Sequence, residues 1–439
     1  MQIHLRYLQN HNLFTANTNF EVNIKLDLLK INKKKLFNDP VYGFITIPHP
    51  LIFDLIEHPW FQRLRRIRQL GLTHMVYPGA LHTRFHHALG ALHLMGQAIE
   101  TIRSKGHYIT EEESLGAYVA ILLHDIGHGP FSHALEHSLV NGISHEKVSL
   151  LFMKELNREF NGQLNTGIMI FKNEYHKKFL HELVSSQLDM DRLDYLNRDS
   201  FYTGVLEGKI GAQRIIKMLD VHNDHLVIEE KGLYSIEQFI VARRLMYWQV
   251  YLHKTTLAAE QMLVKILKRA KELALTDPAL FATTALKKFL ANNFTEKDFK
   301  ENKEILPLFS KLDDYDIYAS LKVWADHNDV ILSRLCRGMV ERKIYKIRLQ
   351  KDPFEKEKTD PYLQRASMQF NLPKSDLHYF AFTGNISNSA YNPDSEPIRI
   401  LYRDGSQIEL SLASDQLEVA VLSSPVQKNF FCCLPELID

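Results

Sequence analysis

The chain has 439 residues, 45% of them apolar and 24% charged, with a formal net charge of +1. That is ample material for a buried core, and the length favours about two to three domains, or one large helical domain with an appendage. A balance so close to zero excludes a global basic field that would draw nucleic acid or an acidic membrane, so any polyanion site must be local. The three cysteines, Cys336, Cys432 and Cys433, cannot build a disulfide framework, and their scarcity fits a reducing compartment. No basic stretch leads into an apolar one at the N-terminus, and no apolar run approaches the roughly 18 residues of a membrane span. The expectation is a soluble cytoplasmic protein.

Residues 1–34 alternate weakly between Asn19 and Leu26, which predicts a strand or an extended arm. Asn38-Asp39-Pro40 followed by Gly43 signals a turn, and Phe44-Ile45-Thr46-Ile47 a short strand before Pro48 and Pro50. From Leu51 the apolar period becomes helical through Leu55, Phe61, Leu64, Ile67 and Leu70, with an interruption at Pro59. Arg63, Arg66 and Arg68 in this stretch read as a solvated helix face. A helix is predicted over about 84–104. Thr110-Glu111-Glu112-Glu113 is a capping box for a helix through Leu115, Val119 and Leu122 that ends near Gly127. Ser235-Ile236-Glu237-Gln238 is a second such start, for a helix reaching about residue 275 ahead of Asp277-Pro278. The last hundred residues differ: Lys343 to Leu349 alternates, and so does Ile398 to Tyr402 before Asp404-Gly405, a hairpin signal. The predicted fold class is mainly α. It has an N-terminal extension at 1–34, a helical domain at 35–330 and a smaller C-terminal α+β region at 331–439.

The chemistry concentrates in His124-Asp125-Ile126-Gly127-His128-Gly129-Pro130-Phe131-Ser132-His133. A packed core does not need three histidines, an aspartate and two glycines in ten residues. Upstream, Arg84 and His87 stand three apart on one helical face. Downstream, Asp191 precedes Tyr195 by four residues, again on one face. One divalent metal held by His87, His124, Asp125 and Asp191 would have two nitrogen and two oxygen ligands. That set suits Mn, Fe, Co, Ni or Zn better than calcium and leaves room for water and a phosphate oxygen, with Mg accompanying substrate phosphates.

These segments resemble the HD-domain deoxynucleoside triphosphate triphosphohydrolases, the subgroup of the SAM-and-HD-domain enzyme and its bacterial relatives. The resemblance runs from about Asn38 to Lys254 and includes Gln62-Arg63-Leu64-Arg65, Gln69-Leu70-Gly71, Tyr77-Pro78-Gly79-Ala80, Arg84-Phe85, Ser144-His145-Glu146 and Asp191 to Asp199. It implies an HD-domain helical core. It also implies that His87, His124, Asp125 and Asp191 are the metal ligands, and that His133 is an acid for the departing 5′-oxygen. His128, Glu136 and His145 form the supporting catalytic set. Arg84 and Arg243 fall at phosphate positions, Lys254 near the same end of the long helix as a further substrate-binding candidate, Tyr195 and Tyr251 beside the substrate, and Gln69 and Leu70 at the sugar. Asn38, Glu57 and Arg65 fall where related enzymes bind an activating nucleotide at a subunit interface, which implies a homodimer or homotetramer. Two positions depart from the pattern: Tyr247 replaces a histidine and Arg192 a lysine.

Taken singly, His86 reads as supporting or solvated, and His74, His82, His93 and His137 as packing or surface histidines. Tyr247, Trp248 and Tyr251 have core spacing. The leading functional expectation is hydrolysis of a dNTP to deoxynucleoside and inorganic triphosphate. The alternatives are the same site acting on a ribonucleotide, a monophosphate or a cyclic nucleotide, and a non-catalytic oligomer that senses nucleotides or binds single strands. The Glu-Asp pair of alarmone hydrolases and the Gly-Tyr-Pro signature of cyclic-dinucleotide enzymes are both absent. The near-zero charge argues against nucleic acid as the main partner.

Overall fold

A computed structural model describes residues 35–131, 140, 142–388, 391, 397–414 and 426–438. The extension expected at 1–34 lies outside them, as do His133, Glu136 and His137. The fold is mainly α with small sheets.

Strands β1 (Leu36–Asp39) and β2 (Gly43–Thr46) form an antiparallel hairpin. Asp39 makes the predicted turn, its Oδ1 accepting from the backbone N–H groups of Val41 and Tyr42 at 2.9 and 3.0 Å. Helix α1 (Pro50–Glu57) follows, and Pro59 opens a short helix, Pro59–Gln62, that tightens into a 3-10 turn at Arg63–Arg66. His49 and His58 cap these starts, each Nδ1 accepting a backbone N–H two residues on.

The arginine run does not form a solvated face. Arg63 is wholly buried, donating from Nη2 to the Ile126 carbonyl at 2.7 Å and from Nη1 to that of Leu312 at 3.2 Å. Arg66 pairs with Asp313. Arg68 donates its backbone N–H to Asp314 Oδ2 at 3.0 Å and its Nη1 to the Tyr318 hydroxyl at 2.9 Å. The run therefore ties the start of the domain to the helix Asp314–Trp324, because buried carbonyls and carboxylates need donors.

Helix α2 (Arg84–Ser104) is buried on most of its circumference, as expected of a helix at the centre of a bundle. Helix α3 (Glu111–Leu123) starts at the predicted capping box, with Thr110 N on Glu113 Oε2 at 2.8 Å and Glu113 N on Thr110 Oγ1 at 3.1 Å. It stops at Leu123, four residues short of Gly127, where the chain turns toward α4 (His145–Glu159). Helix α5 (Met190–Thr203) packs across α2. The contact requires Gly90: a Cβ there would fall 2.0 Å from Asp194 Oδ1 and 2.2 Å from Arg198 Nη2.

The helix expected from Ser235 to about 275 is two helices. Helix α6 (Leu233–Met246) begins before Ser235, whose hydroxyl receives Arg214 Nε at 3.2 Å. A π turn at Tyr247–Tyr251 then interrupts the chain before α7 (Lys254–Ala274). The turn is held from outside by the Tyr77 hydroxyl, which donates to the Gln249 carbonyl at 2.6 Å. Such π turns are common at functional sites.

In the C-terminal part, β5 (Lys346–Gln350), β9 (Val426–Cys433) and β6 (Ala381–Asn388) form a sheet in the order β5-β9-β6. The alternation from Lys343 becomes strand only at Lys346. Strands β7 (Arg399–Leu401) and β8 (Gln407–Glu409) form the predicted hairpin around Asp404-Gly405. They extend the β3 (Leu219–His222) and β4 (His225–Glu229) pair through a parallel β4–β7 contact. One hydrophobic core runs from Ile45 to Leu437. No helix among the described residues is long and apolar enough to cross a membrane.

Candidate metal centre

His87 comes from α2, His124 and Asp125 directly follow the last residue of α3, and Asp191 comes from the first turn of α5. Their side chains converge. His87 Nε2 lies 3.0 Å from Asp191 Oδ1 and 3.8 Å from Asp125 Oδ2. His124 Nε2 lies 3.5 Å from Asp191 Oδ1 and 3.4 Å from Asp125 Oδ1. Both Nε2 atoms are buried and make no hydrogen bond.

The other nitrogen of each ring is committed. His87 Nδ1 bonds Asp194 Oδ2 at 2.7 Å, and His124 Nδ1 bonds the Ile121 carbonyl at 2.6 Å. A proton on Nδ1 leaves each neutral ring with its lone pair on Nε2, the arrangement that metal-binding histidines use. The carboxylates around them favour positive charge on these rings. Burial alone would strip the proton from His87, but Asp191 and Asp194 outweigh it and hold that imidazole at about 10. His124 is likewise pushed up to about 9, burial again being outweighed by Asp125 and Asp191. Burial works against ionisation of Asp191, yet the two imidazoles keep its carboxyl far below the usual range. A metal ion could take the place of the protons that supply that charge.

Asp125 also faces a second group. Arg84 Nη1 reaches its Oδ2 at 2.5 Å and His128 Nε2 its Oδ1 at 3.2 Å. His128 stacks on His145 with ring centroids 3.8 Å apart, and burial together with Arg84 keeps it well below the ordinary histidine range, hence neutral. His87, His124 and Asp191 form one set able to gather around an ion, and Asp125, His128 and His145 another. The loop between them is fixed by Gly127, where a Cβ would lie 2.3 Å from both the His145 carbonyl oxygen and the Ser149 nitrogen. Ser149 Oγ accepts from Gly127 N at 2.8 Å and donates to the His124 carbonyl at 2.7 Å.

Two walls flank the cluster. On one, Ile67 to Gln69 pairs with His82 to Arg84, Arg84 N bonding Ile67 O at 2.9 Å and Gln69 N bonding His82 O at 3.0 Å. This brings Gln69, its Oε1 buried without a partner, and half-buried Leu70 beside the start of α2. On the other, the π turn sets Tyr251 6.1 Å from Tyr195 and 5.2 Å from Tyr247. Tyr251 donates to Asp199 Oδ2 at 2.8 Å, whose Oδ1 pairs with His82 at 2.7 Å, joining the two walls. Arg243 donates to Gln187 at 3.0 Å, and its Nε is buried without a partner.

Lys254 opens α7 on the surface, and no contact ties it to the cluster among the described residues. His133 and Glu136 lie outside those residues. Asn38, Glu57 and Arg65 are exposed. Arg65 lies 3.6 Å over the Phe85 ring, which Phe37, beside Asn38, also meets at 6.1 Å. His86 is used by the helix start, its Nδ1 on Thr83.

Sequence reasoning placed none of Asp194, Arg198 and Asp39 at the site, and gave Asp39 only to the turn. Arg198, wholly buried, grips Asp194 Oδ2 and Oδ1 at 2.9 and 3.0 Å and Asp39 Oδ2 at 2.7 Å. The spacing did carry a signal: Asp194 is three residues after Asp191 and four before Arg198, on one helical face.

The fold and this cluster define a metal-site hydrolase scaffold, and comparison with known proteins agrees. The HD domain family matches residues 84–199, and the HD associated region matches residues 210–292. An uncharacterized Bacillus subtilis protein is 35% identical over 89% of this chain and 90% of its own. The crystal structure of a phosphohydrolase from Bacteroides thetaiotaomicron is 52% identical, with a TM-score of 0.89 over 91% of this chain and all of the other. The deoxynucleoside triphosphate triphosphohydrolase of Danio rerio is 29% identical over 56% of this chain, which spans 46% of that enzyme. The chain belongs to the HD-domain phosphohydrolase family.

Proposed function

We propose that the protein hydrolyses deoxynucleoside triphosphates at the α-phosphorus, releasing deoxynucleoside and inorganic triphosphate. The observation that carries this reading is the pair of buried, unbonded Nε2 atoms of His87 and His124 facing Asp191 and Asp125. His87, His124, Asp125 and Asp191 would hold one divalent ion, and this donor set suits Mn, Fe, Co, Ni or Zn. When bound, such an ion supplies positive charge against phosphoryl oxygens and lowers the pKa of a water molecule.

The protein's own groups do the rest. Arg84 orients Asp125 and places guanidinium charge at the cluster's edge. Arg243 offers a buried Nε to a phosphate oxygen, a task for which guanidinium geometry is suited. Neutral His128 supports Asp125 from the far side, its Nε2 3.2 Å from Oδ1. Tyr195 and Tyr251 form a rigid aromatic wall for a deoxyribose, where an added 2′-hydroxyl would need space and a partner. The deoxynucleoside triphosphate triphosphohydrolases among the relatives support the substrate class. Activation by a second nucleotide at Asn38, Glu57 and Arg65, within a homodimer or homotetramer, belongs to the same reading.

Turnover of each dNTP tests it, against NTP, monophosphate and cyclic-nucleotide controls, with Mn, Fe, Co or Mg and with or without GTP. Metal-dependent loss of dNTP, abolished by Asp125→Ala, is expected. Turnover confined to another nucleotide would keep the site and overturn the substrate.

A further inference from the structure

We infer that the protein carries a second ligand site, separate from the metal cluster, for a small phosphorylated polyol of sugar-phosphate or nucleoside-monophosphate size. The site is a cavity of about 340 Å³ bounded by His181, Ser185, Gln187, His225 and Arg399. That volume lies in the range of small-molecule pockets. It sits on the seam where β7 joins β4, so the helical part supplies the histidines and the C-terminal part the arginine.

The lining states the ligand's chemistry. His181 Nδ1 bonds the Ile170 carbonyl at 2.8 Å, and His225 Nδ1 bonds Glu182 Oε1 at 2.6 Å. With Nδ1 committed in this way, each ring keeps its Nε2 for a ligand, and an imidazole nitrogen can bond a hydroxyl. Glu182 does not compete for the ligand, because its Oε2 already accepts from Leu226 N at 2.6 Å. Arg399 is half-buried and makes no ion pair or side-chain hydrogen bond among the described residues. An uncommitted guanidinium is suited to two phosphate oxygens. Two imidazoles that can bond hydroxyls and one guanidinium in a single cavity match a phosphate ester of a polyol better than a bare cation or an apolar molecule.

The cavity also touches the catalytic machinery. Gln187 lines it and holds Arg243 through Oε1 at 3.0 Å. Ser186, beside Gln187, donates its backbone N–H to Asp189 Oδ2 at 2.8 Å, and Asp189 caps the helix that presents Asp191. A ligand that moves the loop 185–188 therefore acts on Arg243 and on the start of α5. Only this effect on turnover rests on the proposed function; binding does not.

Isothermal titration of the full-length protein with ribose 5-phosphate, AMP, ribose and inorganic phosphate tests the site. Saturable binding of ribose 5-phosphate or AMP is expected, weakened about tenfold or more by Arg399→Ala, which removes the guanidinium. Ser185→Trp, which fills the cavity from an exposed loop, should also remove binding, and Asp125→Ala should leave it intact. The tighter of the two esters identifies the source of the ligand. Circular dichroism establishes that each variant is folded. Failure of both esters to bind, equal binding of inorganic phosphate, or binding lost in Asp125→Ala but kept in Arg399→Ala would each overturn the inference.

Discussion

Asp194 grips His87 from behind, Oδ2 to Nδ1 at 2.7 Å, and so decides which nitrogen of that imidazole faces Asp191. Arg198 holds Asp194 in turn and reaches Asp39 on the first hairpin, so one buried chain of charges connects β1, α5 and the metal cluster. Its path passes over Gly90, where any side chain would collide with it.

Replacing Asp194 with Asn keeps the volume and removes the charge behind His87. Metal affinity should fall about 10- to 100-fold, the usual effect of losing a partner of a ligating histidine. Competition with a chelator measures it. Asp194→Ala should also destabilise the fold by about 3–5 kcal/mol, since it strands buried Arg198. An Asn variant with wild-type metal affinity would contradict this role.

Arg63→Met tests the support of the loop after His124. The substitution is similar in length but leaves the buried carbonyls of Ile126 and Leu312 without their donor. Each unsatisfied group costs about 1–3 kcal/mol, so urea denaturation should show a clear loss of stability, and metal content should fall with it. Burial lowers this guanidinium to about 9, yet Arg63 stays charged at neutral pH.

Half-buried Glu260 on α7 has no charged partner among the described residues, and burial raises its carboxyl from 4.5 to about 7. The folded state then binds more protons than the unfolded chain between those values, so stability falls as pH rises through the window. Glu260→Gln removes the penalty. Its melting temperature should match the wild type at pH 4 and exceed it at pH 8, above the value of about 7. Equal melting temperatures at both pH values would show that Glu260 reaches water freely.

Tyr195→Ala opens the wall against which the sugar is proposed to lie. The ratio of kcat/KM for a dNTP to that for the matching NTP should drop by about tenfold, in line with the modest discrimination steric pockets provide. A ratio unchanged by the substitution would place sugar recognition elsewhere.

The convergence of His87, His124, Asp125 and Asp191 was legible from local chemistry: a His-Asp pair after an apolar helix, and His87 and Asp191 on helix faces that must turn inward. The capping box at Thr110 and the hairpin at Asp404-Gly405 were legible for the same reason, since their hydrogen bonds close within a few residues. Arg63 was not, because its partners are 63 and 249 residues away, and a charge run carries no sign of distant carbonyls. The π turn was hidden too. Tyr247, Trp248 and Tyr251 have ordinary helical spacing, and what breaks the helix includes a hydroxyl from Tyr77, far off in the chain. The cavity at Arg399 depends on a parallel contact between β4 and β7 that no local pattern announces.

The central claim is tested most directly by running dATP turnover in water enriched in oxygen-18 and analysing the products by phosphorus NMR and mass spectrometry. Attack at the α-phosphorus breaks its bond to the 5′-oxygen. The account therefore predicts unlabelled deoxyadenosine and inorganic triphosphate carrying one labelled oxygen, with neither formed by Asp125→Ala or after metal removal. Deoxyadenosine monophosphate with pyrophosphate, or label in the nucleoside, would contradict it.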